Sequence, residues 1–309
     1  MSMKFGFSLI MRGKEATPEA FAAMGERAEK LGIDSLWASD HIVVPPRAAD
    51  PYPGRADGTL PEHWREGYWE PFTVLAYLAA RTKHVTLGFS VCILPMRNPI
   101  EVAGLVAHLD QLSAGRIVFG VGAGWFKEEF DIVKAPFHER GARTNEGLEI
   151  CKALWTQPRP SFTGRFYSFE NVSQNPQPVQ KPHPPIWIAG HTPAALKRVA
   201  KLGNGWHPIR PTLESLRQGK AELARYLEAE GRGLDEITIA PKGRMTVQDG
   251  PPGAGQWLLE DRPRKIVDAI KRFQELGASH FILDTPAETL SSALDAMERL
   301  AQEIRPKLG

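Results

Sequence analysis

The sequence predicts an α/β fold in which residues 1–309 form one domain, a single (β/α)8 barrel of the TIM type. Predicted strands alternate strictly with predicted helices through eight units, and such alternation indicates a parallel sheet. Eight units in a chain of 309 residues favour a closed barrel over an open, doubly wound sheet. No stretch rich in proline and glycine divides the chain as a linker between domains would, so one domain is expected.

The predicted strands are short apolar runs, and the helices between them carry recognisable end signals. Thr17 precedes Pro18 as an N-cap, and Gly32 ends the same helix. By these rules the strands lie at residues 5–10, 33–38, 85–91, 117–121, 186–189, 205–208, 237–247 and 280–283. Helices are predicted to end near 31, 81, 112, 155, 230, 276 and 305, and a further helix is predicted to begin at Thr192-Pro193. Insertions are expected after strand two (42–70), after strand four (156–185, with room for one hairpin) and between strand seven and its helix (250–260).

Composition restricts the classes of partner. Lys plus Arg number 38 against 36 Asp plus Glu, a net charge of +2 that favours neither nucleic acid nor an anionic membrane. Two cysteines are too few for a disulfide framework, which fits a reducing compartment. The amino terminus lacks a signal-peptide pattern, and no apolar run is long enough to span a membrane. We therefore expect a cytoplasmic protein. A homodimer or a higher homo-oligomer is a separate expectation, which composition does not decide.

Strand two ends in an acid and an imidazole, Asp40 and His41, and the first long insertion follows them. Active sites of β/α barrels lie at the carboxyl ends of the strands. His41 is therefore predicted to donate a proton or to hydrogen-bond a ring cofactor or a substrate carbonyl. Asp40 fits two interpretations equally well, a functional carboxylate and a cap of the following turn.

Two further strand ends suggest a binding surface. Gly120-x-Gly122-x-Gly124 resembles half of a dinucleotide fingerprint, but no clear helix begins at the required distance, so a Rossmann site is rejected. The glycines would instead let a flat ring lie against the backbone. Ala189-Gly190-His191-Thr192 comes just before a helix, whose free N–H groups and dipole make an anion or phosphate site. Thr192 is expected to cap that helix in either case.

A metal-dependent hydrolase is the strongest alternative class. Its candidate ligands are the polar residues at predicted strand ends, namely His41, His191, His207 and Asp284. Strand one offers no His-x-His pair, and no lysine stands at the end of strand four, so no metal site is predicted. A serine hydrolase is weaker still, because no Gly-x-Ser-x-Gly elbow is present.

Several motifs together resemble the luciferase-like oxidoreductases (the bacterial luciferase-like monooxygenase family), most closely the branch that depends on coenzyme F420. They are Trp37-x-x-Asp40-His41, Leu87-Gly88-x-Ser90-Val91, Leu94-Pro95-x-Arg97-x-Pro99, Leu112-Ser113-x-Gly115-Arg116, Gly120-Val121-Gly122-x-Gly124-Trp125, Glu129-Phe130 and Pro185-Ile186-Trp187-Ile188-Ala189-Gly190. The resemblance covers residues 4–208, and the C-terminal third matches only in architecture.

The resemblance implies a deazaflavin or flavin ring at the mouth of the barrel, coenzyme F420 or alternatively FMN. It places Asp40 at the polar edge of the ring and His41 at the reacting face. It also implies a cis peptide between Ser90 and Val91, which would form a bulge behind the ring with Gly122 nearby. The turn Ala189-Gly190-His191-Thr192 matches the phosphate-binding turn of the family. Together these residues are the predicted cofactor site.

The predicted reaction is hydride transfer between the reduced ring and a small organic substrate, with His41 moving or orienting a proton. Trp125 stands where some deazaflavin-dependent relatives carry a glutamate, so it joins His41 as the second catalytic candidate. Trp37, Trp69 and Trp125 are expected to line an apolar substrate pocket. If the cofactor is FMN, the better hypothesis is a two-component monooxygenase that receives reduced flavin from a separate reductase. A non-catalytic flavin-binding barrel is a third possibility.

Overall fold

The computed structural model describes residues 3–46, 48, 52, 59–243, 263–284 and 289–308. Within them the strands are β1 (Lys4–Ser8), β2 (Ser35–Ala38), β3 (Thr86–Phe89), β4 (Cys92–Ile93), β5 (Ile117–Gly122), β6 (Phe162–Thr163), β7 (Ser168–Phe169), β8 (Ile186–Ala189), β9 (Gly205–His207), β10 (Thr238–Ile239) and β11 (His280–Leu283). Eight of these strands lie side by side in the order β10-β9-β8-β5-β3-β2-β1-β11, each parallel to its neighbour. Parallel bridges from Ile239 to Ala278 and from Lys242 to Ile282 bring the two ends of this order together. The predicted TIM barrel is therefore confirmed.

The helices surround the barrel and mostly begin where the capping signals indicate. They are α1 (Pro18–Leu31), α2 (Pro71–Arg81), α3 (Pro99–Leu112), α4 (Lys127–Ile132), α5 (Arg140–Thr156), α6 (Pro193–Leu202), α7 (Leu213–Ala229), α8 (Pro263–Glu275) and α9 (Leu290–Arg299). Thr17 accepts a hydrogen bond from the N–H of Ala20, which confirms the predicted cap of α1. None of the helices in the described part of the chain has the length and apolar character of a membrane span.

One helix was not predicted, one strand is shorter than predicted, and one predicted loop lies outside the described residues. The six-residue helix α4 was not predicted, because its charged sequence has no apolar periodicity. Strand seven was predicted over 237–247, yet regular pairing in β10 stops at Ile239, just before Pro241, which has no N–H to donate. Residues 244–262, which include the predicted loop at 250–260, lie outside the described residues. The hairpin expected within 156–185 is present as β6 and β7.

Two tryptophans fill the interior of the barrel. Trp37 and Trp187 stack with ring centroids 4.9 Å apart, and Trp37 has no solvent exposure. Their indoles fit because neighbouring strands carry glycine, and a Cβ at Gly88 would lie 2.3 Å from the ring of Trp37. The indole Nε1 of Trp37 donates to Ser35 Oγ over 2.7 Å. This layer is a packed core, as is usual for a barrel of eight strands.

A second close approach, between β5 and β3, leads to a prediction about stability. A Cβ on Gly120 would lie 1.8 Å from the carbonyl oxygen of Phe89, a backbone atom that cannot move independently of the sheet. We expect Gly120→Ala to lower the free energy of unfolding, measured by urea titration, by about 3 kcal/mol. Gly141→Ala in α5 is the matched control, since its Cβ would meet only Arg198 Nη2 at 3.7 Å. Equal stability of the two variants would contradict the argument.

Candidate active site

A backbone bulge lies at the carboxyl end of β3. The peptide between Ser90 and Val91 is cis, which confirms what the resemblance implied. The chain then returns to the sheet as β4, where Cys92 pairs with Val121 and Ile93 with Gly122. A Cβ on Gly122 would lie 2.6 Å from Val91 Cγ2, so this glycine admits the bulge. Ser90, Val91 and Gly122, three of the predicted cofactor-binding residues, are thus brought together.

Ser90 is held by three groups from other strand ends. Its N–H donates to the carbonyl of Ala38 over 2.7 Å. Its Oγ lies 2.8 Å from His207 Nε2, and its carbonyl oxygen accepts from Lys242 Nζ over 3.2 Å. The position of the bulge is therefore fixed from inside the barrel.

His41 is paired with a buried glutamate that was not predicted to belong to the site. His41 Nδ1 lies 2.7 Å from Glu129 Oε2, and Glu129 is only 1% exposed. The other carboxylate oxygen, Oε1, accepts the backbone N–H groups of Ile42 at 2.6 Å and Val43 at 3.3 Å. Because a carboxylate only accepts hydrogen bonds, the pairing assigns the proton to Nδ1 and leaves Nε2 for a substrate. In the sequence, the sole sign of this residue was its place in the motif Glu129-Phe130.

The His41–Glu129 pair borders an apolar chamber. A small cavity of about 30 Å³ is lined by His41, Glu129, Ile93, Met96, Gly124, Trp125, Phe126 and Phe130. Trp125 stacks on Phe126 with centroids 4.7 Å apart and ring planes 7° from parallel. The two predicted catalytic candidates, His41 and Trp125, therefore line one cavity.

Two aromatic residues from the first insertion contact the imidazole. The ring centroids of Tyr68 and Trp64 lie 5.0 Å and 5.3 Å from that of His41. Burial raises the pKa of Tyr68 to about 12, so its hydroxyl stays neutral, and it shares a short hydrogen bond with Ser39. The aromatic content of this insertion thus contributes to the site, through Trp64 and Tyr68.

Asp40 has a different environment from the one implied by the resemblance. Its side chain is completely buried, and its oxygens accept from Arg97 Nη2 at 2.7 Å, Arg97 Nε at 3.2 Å and the N–H of Ile93 at 2.9 Å. Burial alone would lower the pKa of Arg97, but the charge and hydrogen bonds of Asp40 raise it above its ordinary value. Asp40 therefore anchors the segment that follows the bulge. The sequence could not indicate this role of Asp40, because it does not reveal that Arg97 donates hydrogen bonds to the carboxylate.

The predicted phosphate turn joins β8 to α6. Gly190 has φ +118°, a conformation that favours glycine, and its carbonyl accepts from Trp206 Nε1 over 2.9 Å. His191 Nε2 donates to the carbonyl of Ile209 over 2.7 Å. Thr192 Oγ1 accepts from the N–H of Ala195 over 3.3 Å, as predicted for the cap, and both His191 and Thr192 are exposed. Ala189, at the start of the turn, is half-buried. The exposed residues of the turn lie just before the amino end of α6.

Two of the three predicted pocket tryptophans lie elsewhere. Trp37 is enclosed in the interior of the barrel, because alternate residues of a strand point to opposite faces. Trp69 packs edge-on against Phe21 of α1, and its Nε1 donates to the carbonyl of Ala16 over 2.7 Å. Only Trp125 of the three lines the chamber. The pocket prediction for Trp37 and Trp69 is corrected accordingly.

The residues considered as metal ligands have other partners. His207 Nδ1 donates to the carbonyl of Ala240 over 2.6 Å while its Nε2 faces Ser90, and burial together with the charge of Lys242 lowers its pKa to about 3. Asp284 accepts from Ser8 Oγ over 2.7 Å and lies 3.7 Å from Lys242 Nζ. In the described ranges of the chain, no group of three His, Cys, Asp or Glu side chains is placed to hold a metal ion.

Comparison with known proteins agrees with this geometry. Residues 3–276 match the sequence model of the luciferase-like monooxygenase family. An F420-dependent glucose-6-phosphate dehydrogenase of Amycolatopsis mediterranei is 31% identical over 301 residues, which cover 93% of this chain and 78% of that protein.

Two crystal structures have the same fold over the whole chain. Monooxygenase RslO1 from Streptomyces bottropensis superposes with a TM-score of 0.80 and 23% identity, covering 99% of this chain and 100% of that one. The coenzyme F420 dependent tetrahydromethanopterin reductase from Methanopyrus kandleri gives a TM-score of 0.77 and 18% identity with full coverage of both chains. With the family model matching most of the sequence, the chain belongs to the luciferase-like monooxygenase family.

Proposed function

We propose that the protein is an oxidoreductase that transfers a hydride between reduced coenzyme F420 and a small organic substrate. The observation that supports this most directly is the His41–Glu129 pair, 2.7 Å apart, on the wall of an apolar chamber. A proton-transfer group beside a cavity lined mainly by apolar side chains suits hydride transfer to or from a polar bond.

The residues around the mouth of the barrel fit a ring cofactor with a phosphate group. The Ser90–Val91 bulge offers a surface at the mouth against which a planar ring can lie, and Gly122 makes room for the Val91 side chain of that bulge. The turn at Gly190 offers exposed backbone at the amino end of α6, where the helix dipole favours an anion. When bound, such a cofactor supplies hydride-transfer chemistry, and the protein supplies binding, orientation and proton handling.

In this proposal His41 Nε2 exchanges a proton with the polar atom of the substrate. Glu129 keeps the proton of the imidazole on Nδ1 and fixes the orientation of the ring. Trp125, Phe126 and Phe130 enclose the substrate in an apolar environment, which strengthens its hydrogen bond to His41. A small organic molecule with one polar reacting bond is therefore the expected substrate.

A two-component FMN-dependent monooxygenase, supplied with reduced flavin by a separate reductase, is the second candidate. It is supported by the structural similarity to a monooxygenase. Titration of the purified protein with F420 and with FMN, each oxidised and reduced, separates the two candidates by the change in cofactor absorbance or fluorescence. We expect F420 to bind more tightly. Binding of FMN alone would replace the first candidate by the second, and binding of neither would overturn both.

The phosphate turn gives a prediction that does not depend on the substrate. We expect Gly190→Val to weaken cofactor binding by at least roughly tenfold, because valine opposes the positive φ and would crowd the amino end of α6. Gly231→Val is the control, since Gly231 also has positive φ (69°) but lies beyond α7 with open space around its Cβ. Similar dissociation constants for the two variants, measured by fluorescence titration, would argue against a phosphate at this turn.

Cytoplasmic location and homo-oligomeric assembly complete the proposal. Light scattering after size-exclusion chromatography measures the mass in solution, where a dimer or larger species is expected. A mass equal to one chain of 34.3 kDa would contradict the assembly.

A further inference from the structure

A second buried polar cluster lies directly under the bulge, and the proposed proton transfer does not use it. We call it the Lys242 network; its members are Ser8, Ser90, His207, Lys242 and Asp284. The ammonium of Lys242 lies 3.2 Å from the carbonyl oxygen of Ser90 and 3.7 Å from Asp284 Oδ1. Ser8 Oγ donates to the same Asp284 oxygen over 2.7 Å. These residues come from the carboxyl ends of five different barrel strands or the residues just beyond them, so the closure of the barrel assembles the network.

The network places one positive and one negative charge below the predicted ring site, and the charges of Arg12 and Arg210 act on both of them. Burial would raise the pKa of Asp284, but Lys242 and the hydrogen bond from Ser8 lower it, so the carboxylate is ionised. Burial also lowers the pKa of Lys242, and Asp284 opposes that shift. His207 stays neutral, because burial and Lys242 lower its pKa to about 3. Two members contact the bulge: the ammonium of Lys242 through the carbonyl of Ser90, and the neutral His207 through Ser90 Oγ.

Buried charges so close to a redox ring affect its two oxidation states unequally. A hydride carries two electrons and one proton, so a ring that accepts one gains a unit of negative charge until it takes up a proton from water. A neighbouring cation stabilises that charge, and a neighbouring carboxylate opposes it, with little screening at a buried site. The geometry therefore gives Lys242 and Asp284 opposite effects on the reduced form.

We propose that the Lys242 network sets the reduction potential of the bound cofactor: Lys242 stabilises the reduced ring through the Ser90 carbonyl that it contacts, and Asp284 limits this effect. The inference rests on the proposed function, since it requires a ring at the bulge. It assigns a role to two buried charges that otherwise would only cost desolvation energy.

The test measures the redox equilibrium of bound F420, or of FMN if that is the cofactor that binds, against reference dyes of known potential. We expect Lys242→Met to lower the reduction potential and Asp284→Asn to raise it. Each should change the ratio of the dissociation constants of oxidised and reduced cofactor by roughly tenfold, which corresponds to about 30 mV for two electrons. The double variant should lie near the native value. Lys201→Met is the control, because it removes an equal charge from an ion pair with Glu149 on the surface.

Opposite signs distinguish this role from structural damage, which would weaken the binding of both oxidation states together. Unchanged potentials, or shifts of the same sign in the two single variants, would overturn the inference. If Lys242→Met fails to fold, Asp284→Asn decides alone, because it keeps the shape of the side chain and must raise the potential. If the native protein binds neither cofactor, it is the proposed function that fails.

Discussion

Replacement of His41 by alanine is expected to lower turnover roughly 10²–10⁴-fold while the dissociation constant of the cofactor stays nearly unchanged. The imidazole lies on the wall of the apolar chamber, and among the described residues that line this cavity only its partner Glu129 can also exchange a proton. Loss of the ring therefore removes proton transfer and leaves the bulge and the phosphate turn intact. Steady-state kinetics with the identified substrate and fluorescence titration of the cofactor measure the two quantities separately.

Glu129→Gln tests how His41 is held. The amide can still accept the N–H groups of Ile42 and Val43 through its oxygen, but its NH₂ group cannot accept from His41 Nδ1. We expect a loss of turnover of roughly 10–100-fold, typical of a residue that orients a functional histidine.

His84→Ala is the control for the replacement of His41, because His84 is an exposed histidine whose backbone N–H donates to Glu29. Turnover of His41→Ala at the native level would eliminate His41 from the mechanism.

Asp40→Ala is expected to destabilise the cofactor-free protein by about 3 kcal/mol, because it leaves the largely buried cation of Arg97 with only the exposed Glu70, 3.4 Å away, as a counter-charge. The change also removes the acceptor for the N–H of Ile93, which lies just beyond the bulge. Urea unfolding of the cofactor-free protein measures the effect directly. If Asp40 acted only as a contact to the ring, cofactor affinity would fall and the stability of the cofactor-free protein would not.

A double variant separates the ion pair from the rest of the site. Arg97→Met keeps most of the length of the side chain and removes the charge that Asp40 neutralises. Combined with Asp40→Ala, it should recover a large part of the lost stability, as is usual when both members of a buried pair are replaced. Additive losses in the double variant would show that the two side chains contribute independently.

The sequence predicted the features that depend on local order along the chain. Strand and helix periods, capping residues such as Thr17 and Thr192, and the carboxyl-end position of His41 all follow from neighbouring residues. The cis peptide after Ser90 came from the resemblance, because no local rule predicts a cis bond at a residue other than proline.

What the sequence did not predict depends on partners far apart in the chain. Glu129 lies 88 positions from His41, on a helix too short and too charged to show a period. Asp40 was predicted as a cofactor contact or as the cap of a turn, and its pairing with Arg97, 57 positions away, had no sign in the sequence. Trp37 and Trp69 are of a residue type that is common in pockets, but Trp37 points into the barrel and Trp69 packs against α1. Only the three-dimensional packing decides where such side chains point.

The two hydrogen bonds from Ile42 and Val43 to Glu129 have a consequence for how relatives of this protein can diverge. The same carboxylate holds the imidazole and the first two amides of the segment that follows it. Changes farther along that segment, where Trp64 and Tyr68 approach the imidazole, can reshape the entrance without moving the imidazole from its place. Under the proposed function, substitutions in this segment are expected to alter substrate preference without altering proton transfer at His41, because Glu129 holds the imidazole in place.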